Sequence, residues 1–89
     1  MGLVFTKQIS NTTFVLGAED GIRQLSVKNS SATAQDVTII GSLPFNGIAS
    51  APIILKQGGV ITLSSQSVIS GVTITSASAA ALADIIATQ

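Results

Sequence analysis

The chain contains no cysteine, histidine, tryptophan or tyrosine, and only 9% of its 89 residues are charged. Each absence removes a class of function. Without cysteine there is no disulfide framework and no thiol chemistry. Without histidine as well, Ser-His-Asp and Cys-His catalysis and ordinary zinc sites cannot form. The lysines Lys7, Lys28 and Lys56 are the amines left to activate a serine, and no motif sets one beside a serine in a nucleophile turn. Among the acids Glu19, Asp20, Asp36 and Asp84, the adjacent Glu19 and Asp20 diverge in a turn and make no pair for glycoside hydrolysis. Nor does Glu19-Asp20-Gly21 form a spaced acidic loop able to give calcium its six to eight oxygens. No enzyme, no catalytic or metal-binding residue and no cofactor are expected.

Partner classes narrow in the same way. Three lysines and one arginine at zero net charge leave no basic patch for phosphates, and without Trp or Tyr there is no platform for stacked bases or sugars. Nucleic acid is therefore not an expected partner. The longest apolar runs, such as Ile53 to Leu55 and Ala79 to Ala83, fall far short of the ~20 residues a membrane-spanning helix needs. The opening MGLVFTKQIS has no basic stretch followed by a sustained apolar one, so a secretory signal is not expected. Met1-Gly2 with Thr6 is too short a match to imply myristoylation.

What remains is apolar and small. Hydrophobic residues make up 46% of the chain. A soluble monomer usually carries about 25% charged residues, so this surface has little reserve against association. A chain of this length holds one core, and buries only roughly 60–65% of its unfolded surface. Burial of outer surface against copies or partners is the expected remedy.

The pattern along the chain is that of short strands. Residues 3–9 and 13–18 read as the first two, followed by the Glu19-Asp20-Gly21 turn. In 22–28, Arg23, Leu25 and Val27 alternate with Gln24, Ser26 and Lys28. Residues 36–43 read as another strand, in which Ile40 breaks the alternation and suggests a covered outer face. The polar stretch Asn29 to Gln35 between these two suggests adjacent antiparallel strands joined by an exposed loop. Pro44 and Pro52 bracket a segment expected to be an edge, a loop or a crossing. Ile53 to Leu55 and Val60 to Leu63 flank Lys56-Gln57-Gly58-Gly59, a hairpin signal. Residues 68–75 read as a last strand. From Ser78 onward, Ala79, Leu82, Ala83 and Ile86 fall at i, i+3, i+4 and i+7, one stripe of a helix that Ser76 or Ser78 can cap. The expected fold is all-β: a small antiparallel sandwich or barrel of about seven short strands over 1–75, with a helical tail over 76–89, forming one domain.

The stretch LSVKNSSATAQDVTIIGSL resembles a repeated phrase in small bacteriophage virion proteins of the minor capsid, vertex or decoration type. The pattern is carried by Leu25, Val27, Asn29, Ser30, Ser31, Ala34, Gln35, Val37, Thr38, Ile39 and Gly41. The later GGVITLSSQSVISGVTIT looks like the lower half of the same sandwich, so the resemblance covers about half the chain. It implies a non-enzymatic structural subunit of a phage particle, built into a ring or capsid lattice with other virion proteins. A bacterial surface or pilus-like module is the second reading.

Candidate contact residues follow from polarity and period. Asn29, Ser30 and Ser31 lie in a small, uncharged loop that a partner can cover at low desolvation cost. Ile40 stands on a face expected to be wet, and Phe45 lies between Pro44 and Asn46. On the expected helix, Leu82, Ile85 and Ile86 are the large apolar residues available to a neighbour.

Overall fold

A computed structural model of the chain describes residues 2–41 and 52–89. Eight strands form two antiparallel sheets: β1 (Leu3–Ser10), β2 (Thr13–Leu16), β3 (Gln24–Asn29), β4 (Val37–Gly41), β5 (Ile53–Leu55), β6 (Val60–Ser64), β7 (Val72–Ser76) and β8 (Leu82–Thr88). The first sheet has the order β1-β8-β3-β6 and the second β2-β7-β4-β5. This order, in which the chain passes from one sheet to the other at nearly every connection, is that of a double Greek-key jelly roll.

The strand pattern explains where the core sits. Residues paired across a ladder share a face, so Phe14, Ile74, Ile39 and Ile53 form one inward row of the second sheet. Phe5, Ala87, Leu25 and Leu63 form an inward row of the first. Leu16, Val72, Val27 and Ile85 complete a contiguous apolar layer with them. At the seam where edge strands β1 and β2 diverge, Phe5 and Phe14 meet edge to face with ring centroids 5.7 Å apart. Two tight reversals depend on left-handed backbone. Asn11 (φ 53°) turns β1 into β2, and Gly58 (φ 78°) turns β5 into β6. That region is one Asn tolerates and Gly enters without strain.

Three expectations are corrected. Residues 82–88 form β8, the strand threaded between β1 and β3, and no α-helix occurs among the described residues. The segment carries a second period as well: Ala83, Ile85 and Ala87 alternate and are buried, with Asp84 and Ile86 on the other face. A short helix gains little in water by itself. The slot between β1 and β3 pairs β8 with a strand along each side, and helix propensity is too weak a preference to oppose that.

Strands β3 and β4 do not pair with each other. β3 lies in the first sheet and β4 in the second, so the loop between them arches across the sandwich. Lys56 to Gly59 does make a tight turn, with the Gly59 amide donating to the Lys56 carbonyl at 2.8 Å. Its flanking strands again belong to opposite sheets. Turn chemistry sets where a chain reverses, not which strand it then hydrogen-bonds.

Candidate interaction surface

The outer face of the second sheet is where sequence and geometry converge. Register aligns Thr13, Thr75, Thr38 and Ile54 in one transverse row, and Val15, Thr73 and Ile40 in the next. All of these alternate with core residues, which is why they face out. Val15, Ile40 and Ile54 are 64%, 43% and 47% exposed. The hydroxyls of Thr13 and Thr75 lie 3.4 Å apart. None of the described strand residues on this face is charged. On the first sheet's outer face, Lys28 lies opposite Asp84, which accepts a 2.7 Å hydrogen bond from the Gln8 amide. Asp36 and Lys56 pair at 3.1 Å at the loop end. A sheet face of Thr, Val and Ile without charge loses little by desolvation and gains apolar burial when covered.

The expected contact residues separate into exposed and internal ones. Ile40 and Ile86 are exposed, on the outer faces of the second and first sheets, and Leu82 is half-buried at the start of β8. Asn29, Ser31 and Ile85 are corrected: all three are buried within the chain. Ile85 belongs to the core because the strand, unlike the helix, turns it inward. The Asn29 carboxamide donates to the carbonyls of Gln35 and Leu55, each at 2.8 Å, and accepts from the Ser31 amide at 3.1 Å. The Ser31 hydroxyl accepts from the Leu82 amide at 2.9 Å. These side chains therefore hold the arch together, and its polar composition reflects internal hydrogen bonding. Ser30 is half-buried with its hydroxyl enclosed, while its amide donates to the Leu82 carbonyl at 2.9 Å. Phe45 lies outside the described residues. Val15 and Ile54 were not among the expected residues. Val15 alternates with Phe14 and Leu16, which was a legible signal. Ile54 sits inside an unbroken Ile-Ile-Leu run that hides its direction.

Two clefts open among the described residues. One of about 570 Å³ opens among the loops at one end, lined by Gln35, Asp36, Lys56, Gln57, Ser78 and neighbouring alanines. Its polar groups already serve one another: Lys56 binds Asp36, Ser78 donates to the Gln35 side-chain oxygen at 3.1 Å, and Gln57 donates to the Ser31 carbonyl at 3.2 Å. The second, of about 320 Å³, lies at the β1–β2 seam beside Phe5, Phe14, Lys7 and Asp20. The Lys7 ammonium sits 5.7 Å from the Phe14 ring centre, a cation–π contact. Among the described residues no group of three acidic or other metal-ligating side chains converges, and no helix is long and apolar enough to cross a membrane. The chain matches no family model and no curated protein.

Proposed function

We propose that the chain is a non-enzymatic structural subunit of a bacteriophage particle, a minor capsid, vertex, decoration or connector component located in the virion. It assembles with copies of itself and with other virion proteins through uncharged sheet surface. The charge-free outer face of the second sheet carries this reading. A face of Thr, Val and Ile without charge, on a chain with so few charges elsewhere, is suited to lying against protein. The jelly-roll strand order supports the virion assignment, since viral capsid domains are one of the groups that use it. Lectins use it too, but the carbohydrate site there would lack Trp and Tyr, and the loop-end cleft has its polar groups engaged. Fold alone does not decide function, and the resemblance of residues 25–43 to virion proteins is what turns the reading toward phage.

The test is assembly. Light scattering of the purified chain at micromolar concentration is expected to show a closed oligomer, and a stable monomer across that range would overturn the reading. Mass spectrometry of purified particles then separates a virion subunit from a bacterial surface module.

A further inference from the structure

A sandwich exposes the edges of its sheets, and exposed edges pair with other strands unless something prevents it. Short length, proline, bulges, charge and inward-pointing charged side chains are the usual preventives. Edge strand β1 has two of them. Its register slips between Leu3 and Phe5, and Lys7 stands opposite the buried Ile85, on the inward side of the strand. Edge strand β2 has four residues and shares its seam with Lys7 and Asp20. Edge strand β5 has three residues and follows Pro52.

Edge strand β6 has none of these features. It is five residues, VITLS, uncharged and without proline. It pairs with β3 in unbroken register and, among the described residues, with no other strand. The ladder shows which groups are left over. The Asn29 amide donates to the Gly59 carbonyl and the Ser65 amide to the Arg23 carbonyl. Odd-numbered residues of this strand therefore bond to β3. By the alternation of antiparallel ladders, the backbone groups of Val60, Thr62 and Ser64 point away from it.

We propose that β6 is the edge by which two copies of this chain join, antiparallel about a two-fold axis at Thr62, merging their first sheets into one continuous sheet. The proposal rests on the assembly reading and adds to the outer face of the second sheet a separate contact on the first. The sequence of β6 matches itself in this arrangement. Thr62 faces Thr62, Val60 faces Ser64, and Ile61 faces Leu63. Ile61 and Leu63 both lie on the inward side, opposite Val27 and Leu25. Apolar residues thus meet apolar residues beneath the joined sheet, and polar or small ones meet above it. No charge is opposed to a like charge, and every outward backbone group finds a partner. Such a contact is isologous and closes on itself. A second copy is favoured over an unrelated peptide because the strand's own pattern supplies the complement.

The chain lacks cysteine, so the full-length variant Thr62→Cys tests the axis directly. Opposed residues of a hydrogen-bonded antiparallel pair have Cα atoms ~5.5 Å apart, within disulfide range. Thr62→Cys is expected to form a disulfide-linked dimer in air, while Val60→Cys, also exposed but facing Ser64 of the other copy, is not. Thr62→Lys and Thr62→Glu, at an exposed position, are each expected to weaken dimerisation by about tenfold or more. Their equimolar mixture is expected to restore it. Equal cross-linking at both positions, or charge variants whose mass is unchanged, would overturn the two-fold at Thr62. Should those variants keep the wild-type oligomer, the assembly reading survives and the contact lies elsewhere; a wild-type monomer removes both.

Discussion

The carboxamide nitrogen of Asn29 donates to the backbone carbonyl of Leu55 at 2.8 Å, joining the end of β3 to β5 across the two sheets. The same nitrogen reaches the Gln35 carbonyl, so one buried side chain closes the β3–β4 arch and anchors it to a strand of the opposite sheet. Asn29→Ala removes a donor from two carbonyls and leaves a void beside them. The expected loss is about 2–4 kcal/mol, read as a lower urea midpoint. Asn29→Asp, which replaces the donor with a charged acceptor facing both carbonyls, is expected to be worse. A loss below about 0.5 kcal/mol for Asn29→Ala would show that the arch is held by other contacts.

Neighbouring isoleucines test β8. As a strand it buries Ile85 and exposes Ile86. Ile85→Ala is expected to cost about 2–5 kcal/mol, and Ile86→Ala less than about 1 kcal/mol. A tail helix packed along Ala79, Leu82, Ala83 and Ile86 gives the reverse order, so the two unfolding midpoints decide between the conformations.

On the outer face of the second sheet, Ile40 has solvent on one side and Thr73 beside it. Ile40→Lys is expected to leave monomer stability within about 0.5 kcal/mol while lowering the mass of the assembly in light scattering. Particles or oligomers of unchanged mass would place the interface elsewhere.

The Lys56–Asp36 pair spans 3.1 Å, but its side chains are 75% and 49% exposed. Water and salt screen such a pair, and its contribution to stability is expected to stay below about 1 kcal/mol. Lys56→Met should therefore unfold near the wild-type midpoint, and adding 1 M salt should change little. A larger loss would mark the loop end as a constrained structure.

The sequence by itself determined the all-β class, most strand positions and the inward residues of β3 and β4. Period-two alternation reports directly which side chains must leave water. Ile40 stood out for the same reason, because it breaks that alternation. Tertiary structure decided the pairing. Leu25, Val27, Val37 and Ile39 have to be buried whether β3 and β4 lie side by side or face each other, so alternation cannot separate a hairpin from an arch. It also decided the tail: the segment carries a helical stripe through Ala79, Leu82, Ala83 and Ile86 and a strand alternation through Ala83, Ile85 and Ala87, and only the open slot between β1 and β3, assembled from residues far apart in the chain, makes the strand the better state. The buried role of Asn29 was hidden likewise, since its partner Leu55 is close only after the two sheets have stacked.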